Sequence, residues 1–303
     1  GISLELVQFS GVRGKGLKAL ATAPFKLMRA IIQANRIMQR LKPNVVVGFG
    51  GFITVPGALS ARLCGVPLVL HEQNAIAGMA NRCLSRVAKR VYTAFPNVLP
   101  MAEWVGNPMR NEFLLQLTPA ARMFNRSGPL KVLVLGGSLG AKGLNEVVPQ
   151  ALALMDERIR PHVIHQSGVA HIDALRDAYC HAGVAGDLRP YIDDVAAYMA
   201  DADVVVCRAG ASTVTELTAV GAAALLVPFP HAVDDHQTAN AHFLTQADAA
   251  WLVQQRDLTP QWLANWLASV NREALLACAQ HASELAKTHA VHTMVQAIQK
   301  ECV

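Results

Sequence analysis

Short apolar runs alternate with amphipathic stretches from one end of the chain to the other. The runs at 44–47, 66–70, 131–135, 162–165, 203–206 and 223–227 are rich in aliphatic residues, and each gives way to apolar positions at helical spacing. Strands that are apolar on both faces belong to parallel sheets covered by helices, so the pattern predicts an α/β protein. Interruptions place a seam between Gly106 and Gly128, where Asn107, Pro108, Pro119 and residues 125–129 break the apolar rhythm. Two domains follow. The second, from about 130 to 285, holds six strand-and-helix units. The first offers about four strands, and its opening strand at 4–9 leads into a basic turn rather than a glycine-rich one. This deficit predicts that sequence is missing ahead of Gly1.

Composition adds bounds to this picture. At 303 residues, 52% apolar and 16% charged, the chain can bury the cores of two compact domains. Its six cysteines are scattered without a C-x-x-C pair, which argues against a zinc site or a disulfide framework and for a reducing compartment. The uncharged run at 43–61 contains Pro43, Gly48, Gly50, Gly51, Pro56 and Gly57, so it predicts strand, turn and helix start rather than a membrane span.

Charge is unevenly spread. Eight cations against Glu5 give the first forty-two residues +7 and leave −2 for the rest, within a net charge of +5. Lys18 precedes a helix predicted over 23–40, in which Phe25, Met28, Ile31 and Ile32 recur at helical spacing with Lys26, Arg29 and Arg36 among them. Two readings stand: a basic apolar face that docks on an anionic membrane surface, or an ordinary helix with its stripe in the core. Nucleic acid is not predicted, because aromatic residues do not interleave with the charges.

The strongest local signal lies at 204–217, where an apolar strand enters the small-residue turn Arg208-Ala209-Gly210-Ala211 and opens a helix. A helix N-terminus carries unpaired N–H groups and partial positive charge, so the segment from Ala211 through Ser212 and Thr213 can receive a phosphate. Glu216, one turn further, can accept two ribose hydroxyls. The alternative is that Ser212 caps the helix and Glu216 merely suits its positive end. A second turn, Gly136-Gly137-Ser138-Leu139-Gly140, also joins a strand to a helix, and fits neither the P-loop nor the dinucleotide fingerprint. Ser138 stands where a diphosphate would rest, though the glycines alone explain a tight turn.

Other polar groups close predicted strands. His71-Glu72-Gln73-Asn74 ends one, where open α/β sheets bind ligands, although Asn74 can equally cap the following helix. Arg110 lies at the seam and can donate to a phosphate in bidentate fashion, or simply be a surface arginine. Residues 228–237 contain two histidines and two aspartates, but their spacing fits no common zinc pattern, and Gln237 reads better as a partner for sugar hydroxyls. The backbone of Ile192 can pair with a nucleobase edge.

Together, Val47 to Phe52, His71 to Asn74, Val105 to Pro108, Gly136 to Ser138, Cys207 to Ala211 with Thr213 to Glu216, and Pro230 to Gln237 resemble the motifs of the MurG family, in order and over essentially the whole chain. These are bacterial peptidoglycan N-acetylglucosaminyltransferases. The resemblance implies a GT-B fold, with two Rossmann-like domains facing across a cleft. It implies an acceptor- and membrane-facing domain at 1–110, a UDP-sugar-binding domain at 111–288, and a C-terminal helix at 289–303 packed back on the first. It further implies inverting transfer of N-acetylglucosamine from UDP-N-acetylglucosamine to the C4 hydroxyl of the muramyl sugar of lipid I, giving lipid II. By matching position, the Ile192 backbone would hold uracil, and Glu216 the ribose. Ser138, Arg110 and the turn 211–213, continuing through Val214 and Thr215, would serve the diphosphate, and Asn74 and Gln237 the N-acetylglucosamine.

No metal or cofactor is implied. Expected partners are the two substrates, an anionic membrane surface contacted through Lys18, Phe25, Lys26, Met28, Arg29 and Ile31, and proteins of cell-wall synthesis and division, with the enzyme peripheral on the cytoplasmic face of the inner membrane. One departure stands out: the family's Gly-Gly-Thr-Gly-Gly-His loop, whose histidine is a candidate base, has no counterpart here. His71 is then the candidate nearest to hand, and a second reading of the chain is a silent UDP-sugar-binding and membrane-docking module.

Overall fold

The computed structural model describes residues 3–9, 16–137 and 140–302. The chain divides into two compact units, Gly1–Asn107 with His289–Val303, and Pro108–Thr288. The division thus falls at Asn107, ahead of Arg110, which belongs to the second unit.

The first unit is built on a four-stranded parallel sheet in the order β1 (Val46–Gly48), β2 (Leu68–Glu72), β3 (Arg90–Thr93) and β4 (Glu103–Trp104). Helices α1 (Gly16–Leu41), α2 (Thr54–Leu63) and α3 (Met79–Leu84) accompany it. The predicted strand at 4–9 is not one. Leu4 and Leu6 are 82% and 80% exposed, and the segment is tied to α1 by Gln8 N–H donating to Gln33 Oε1 and by Arg29 Nη2 donating to Gln8 Oε1. Its alternation buries neither face, so it gains nothing from joining the sheet.

α1 has two apolar faces rather than one. Ala30 and Ala34 are buried, and their small side chains let α2 approach closely enough for Ser60 Oγ to donate to Ile31 O. Phe25, Met28 and Ile32 are 79%, 59% and 47% exposed on the other side, beside exposed Lys26 and Arg29. Ile31 is half-buried and belongs to the packed edge, while the Lys18 side chain lies outside the described residues.

The last helix of the chain closes this unit. In α12 (Ala290–Glu301), Ala290, Met294 and Ala297 repeat at helical spacing and pack on Val69, Tyr92 and Val105. Glu301 pairs with Lys89 and Arg90, and Asn44 Nδ2 donates to Cys302 O.

The second unit carries a six-stranded parallel sheet in the order β10-β9-β8-β5-β6-β7. Its strands are β5 (Lys131–Leu135), β6 (His162–Gln166), β7 (Asp187–Arg189), β8 (Val204–Cys207), β9 (Ala224–Leu226) and β10 (Trp251–Leu252). The strands occupy the centre of the core: Val132, Leu133 and Val134 of β5 and Val204, Val205 and Val206 of β8 are all 3% exposed or less. Their helices are α5 (Lys142–Ala153), α6 (Ile172–Ala182), α7 (Val195–Asp201), α8 (Ala211–Val220), α9 (His236–Thr245), α10 (Pro260–Ser269) and α11 (Arg272–Glu284).

From β5 the chain winds outward through β6 to β7, then returns to β8 and winds the other way to β10. The order therefore reverses between β5 and β8, and the carboxyl ends of those strands flank the crevice where open α/β sheets bind ligands.

The stretch read as a seam is folded onto this unit. Phe113 is fully buried, and α4 (Pro119–Met123) is capped by Thr118. From α4, Arg122 donates through Nη2 to Val220 O at 2.9 Å and Gly221 O at 2.6 Å, and through Nη1 to Ala200 O at 3.1 Å. It thereby satisfies the carbonyl end of α8, where positive charge complements the helix dipole. Burial, with Arg126 nearby, lowers the Arg122 pKa to about 10, so the clamp stays charged at neutral pH. Among the described residues, no helix is long and apolar enough to cross a membrane.

Candidate functional site

At the reversal between β5 and β8 the second unit has a cavity of about 500 Å³. Most of its walls come from the carboxyl ends of strands. Gly136, Gly137 and Gly140 follow β5, Gln166 ends β6, Tyr191 and Ile192 follow β7, Arg208 and Gly210 follow β8, and Phe229 follows β9. Thr213 and Glu216 come from the first turns of α8, and Gln237 from α9.

Small residues make the space. A Cβ on Gly136 would lie 2.6 Å from Ala141 N and 2.9 Å from Gly140 Cα, so only glycine permits this turn to close. Gly140 adopts φ +76°, and a Cβ there would lie 2.0 Å from Ser167 O. Ser138 lies outside the described residues.

Beneath the Gly140 turn runs a buried chain of hydrogen bonds. Tyr179 Oη donates to His165 Nδ1 at 3.1 Å, His165 Nε2 donates to Asn145 Oδ1 at 3.1 Å, and Asn145 Nδ2 donates to Ser167 O at 3.3 Å. Every donor meets an acceptor, which fixes the histidine tautomer and the Ser167 carbonyl on which the turn rests. Burial lowers the His165 pKa to about 3, so the chain is neutral and unchanged across the physiological range.

α8 opens at Gly210, whose extended conformation (φ −63°, ψ 146°) places it at the N-cap with no capping side chain. Ser212 is exposed and does not cap the helix. The first turn of α8 carries no acidic side chain, and its positive end opens at the cavity that Gly210 and Thr213 line, as suits an anion. Thr213 lines the cavity, whereas Val214 is fully buried and Thr215 turns its hydroxyl back to Ala211 O at 2.9 Å. Those two side chains face the core, and only their backbone belongs to the turn.

Glu216 is half-buried on the cavity wall. Burial pushes its pKa up, the Arg110 guanidinium pulls it down, and Glu112 raises it again. Arg110 itself is exposed, pairs with Glu112 at 2.8 Å and lies 5.2 Å from the Phe113 ring centre, at the rim rather than in the lining. Ile192 is 2% exposed, so it can offer only its backbone. Gln237 Oε1 accepts from Phe229 N–H at 2.9 Å, which orients its amide nitrogen as a donor.

Arg208 carried no role in the sequence reading, yet its half-buried guanidinium forms one wall. Its place at the carboxyl end of a central strand was the available signal.

The first unit differs at the equivalent strand end. His71 is fully buried, its Nε2 donates to Gly106 O at 2.9 Å, and burial lowers its pKa. The expectation that His71 is a base is corrected here: a ring sealed in the core, bonded to a backbone carbonyl, has no access to a substrate hydroxyl. Glu72 is occupied too, accepting from Asn74 N–H at 3.0 Å, Gly78 N–H at 3.1 Å and Asn81 Nδ2 at 2.8 Å. Asn74 is half-buried in this loop, and Gly78 rather than Asn74 takes the N-cap of α3. Among the described residues, no group of three His, Cys, Asp or Glu side chains is placed to hold a metal ion.

Comparison with known proteins agrees with this layout. The model of the glycosyltransferase family 28 C-terminal domain matches residues 131–297, and that of its N-terminal domain matches residues 1–93. A UDP-N-acetylglucosamine--N-acetylmuramyl-(pentapeptide) pyrophosphoryl-undecaprenol N-acetylglucosamine transferase of Acidovorax sp. (strain JS42) is 57% identical over 300 residues, covering 99% of this chain and 75% of its own length. The enzyme of that name from Paracidovorax citrulli is also 57% identical, covering 99% of this chain and 84% of its own length. The crystal structure of Acinetobacter baumannii MurG superposes with a TM-score of 0.84 at 42% identity, covering 92% of this chain and 79% of that one. With its paired parallel α/β units of the GT-B class and identity of this extent, the chain belongs to the MurG family of glycosyltransferase family 28.

Proposed function

We propose that the protein transfers N-acetylglucosamine from UDP-N-acetylglucosamine to the C4 hydroxyl of the muramyl sugar of lipid I, with inversion, giving lipid II and UDP. The observation that carries this reading is the cavity at the reversal of the second sheet, in a chain 57% identical to enzymes named for that transfer. That identity also favours transfer over a silent binding module.

The site chemistry supports the reading. The acceptor hydroxyl oxygen bonds to the anomeric carbon and its proton passes to solvent, while the bond from that carbon to the β-phosphate oxygen breaks and its electron pair leaves with UDP. Negative charge grows on the diphosphate. The glycine-opened start of α8 offers preorganised backbone donors for that charge, with Arg110 at the rim. In this reading Glu216 accepts the ribose hydroxyls, the Ile192 backbone meets the uracil edge, and Gln237 donates to the sugar. Radiolabelled UDP-N-acetylglucosamine and a lipid I analogue in vesicles should yield labelled lipid II and free UDP in equal amounts. Absence of labelled lipid would overturn the assignment.

The acceptor is lipid-borne, and the exposed Phe25, Met28, Lys26 and Arg29 of α1 support a peripheral association with an anionic membrane surface on its cytoplasmic side. Replacing Phe25 and Met28 by serine should weaken binding to anionic vesicles about thirtyfold or more in a co-sedimentation assay, since each buried apolar side chain contributes roughly 1–2 kcal/mol. Undiminished binding would remove α1 from the interface.

A further inference from the structure

We propose that Gln255 is a positioning residue for the donor cavity, and that position 143 is glycine so that Gln255 can reach its place. The inference rests on reading that cavity as the sugar-nucleotide site.

Arg208 leaves the end of β8 and is held from three sides. Its Nη1 donates to Val227 O at 3.0 Å and Pro228 O at 3.1 Å, and its Nη2 donates to Gln255 Oε1 at 2.5 Å. Its guanidinium carbon lies 5.6 Å from the centre of the Phe229 ring, and Phe229 N–H is the group that orients Gln237. The two carbonyls fix one edge of the guanidinium. Gln255 fixes the other, and is the one side chain in the set that can be changed without altering the cavity lining.

Gln255 follows β10, outside every motif of the sequence reading, and reaches Arg208 by lying against the start of α5. A Cβ on Gly143 would stand 2.9 Å from Gln255 Oε1, closer than real side chains come, and 3.0 Å from its Cδ, at the tight end of real contacts. Gly143 has no positive φ to require glycine, and in a helix alanine is otherwise preferred. Glycine here is thus explained by the neighbour it admits. Through this contact Gln255 ties the helix that follows the Gly136–Gly140 turn to the cation across the cavity. A half-buried guanidinium with one edge unheld would sample other rotamers, and the wall it forms would be lost for part of the time.

The expected pattern separates positioning from folding. Gly143→Ala leaves the backbone conformation allowed and displaces only the flexible end of Gln255, so the melting temperature should hold or rise. UDP binding should nevertheless weaken about tenfold, the loss expected when one charge-assisted hydrogen bond no longer holds its donor in place. Gln255→Leu should weaken UDP to the same degree, and Gln255→Glu, which keeps an acceptor for Arg208, should restore it. The double variant Gly143→Ala, Gln255→Leu should bind no worse than Gln255→Leu alone, because both changes act through one contact.

Calorimetric titration with UDP reads all four proteins against the wild type and Glu216→Ala. If the wild type fails to bind UDP, the donor-site reading falls and the inference with it. If the wild type binds and Glu216→Ala weakens it, while Gly143→Ala and Gln255→Leu stay within about twofold of the wild type, the positioning role alone is overturned.

Discussion

The carboxyl ends of the two parallel sheets are built alike and used differently. In the first unit β2 ends in His71 and Glu72, the more overtly chemical pair, and both are buried and bonded to their own surroundings: His71 through Nε2 to Gly106 O, and Glu72 to Asn74 N–H, Gly78 N–H and Asn81. In the second unit β5 and β8 end in glycine and small residues, and the result is an open cavity with Arg208, Glu216 and Gln237 on its walls. Polar residues at a strand end therefore mark a site only where the neighbouring turns leave volume. After β5 and β8, Gly136, Gly137, Gly140 and Gly210 withhold the side chains that would otherwise fill the crevice, whereas β2 runs directly into the bonded polar residues His71 and Glu72.

The sharpest way to break this comparison is to empty the occupied end. Glu72 is 3% exposed and satisfies three donors, so Glu72→Ala leaves buried N–H groups unpaired. A loss of about 3 kcal/mol in unfolding stability is expected, from the cost of unsatisfied buried donors and a lost charged partner. Chemical denaturation measures it, with UDP titration as the control. A loss below about 1 kcal/mol would show that the carboxylate is not what orders residues 74–78.

At the open end the contrast predicts the reverse, a large effect on binding with little on folding. Glu216 makes no ion pair among the described residues and is half-buried, so Glu216→Ala should leave the melting temperature near its starting value. UDP affinity should fall about ten- to hundredfold, equivalent to roughly 1.5–3 kcal/mol for hydrogen bonds to a charged group. The effect carries a pH signature. Burial raises the Glu216 pKa above the ordinary 4.5, and ribose hydroxyls donate to the ionised form. UDP affinity should therefore be full above that raised pKa and decline as pH falls through it, beginning at a higher pH than an unperturbed glutamate would give. Glu216→Gln should flatten the profile; a profile unchanged by the substitution would remove Glu216 from the ribose.

The same contrast explains what was legible in the sequence. β5 and β8 were readable because central parallel strands are apolar on both faces, and the turns after them because glycine and alanine are conspicuous beside such strands. β4 and β10 were not, since each is two residues long and too short to show a period. Residues 4–9 misled for the opposite reason: apolar positions were present, but Leu4 and Leu6 stay exposed and bury no face. Residues 108–128 read as a break because Phe113 and Arg122 act singly, one as a buried plug and one as a clamp on α8, and isolated residues leave no pattern. His71 was misread because sequence shows residue type and not burial. Arg208 and Gln255 were missed because their meaning lies in a contact across 47 positions.

The smallest effect tests how finely the open cavity is divided. Gln237 spends its carbonyl on Phe229 N–H, so only its amide nitrogen faces a ligand, and in the proposed reading that ligand is the sugar rather than the nucleotide. Gln237→Ala should then raise the dissociation constant of UDP-N-acetylglucosamine about tenfold, the worth of one hydrogen bond, and move that of UDP less than about threefold. The comparison of the two ligands is internal to one variant, so any general loosening of Phe229 would appear in both. Equal weakening of both would mean that Gln237 acts by holding the Phe229 wall and not by touching the sugar. A selective loss would divide the cavity into a nucleotide part, set by the turns after β5 and β8, and a sugar part that begins at α9.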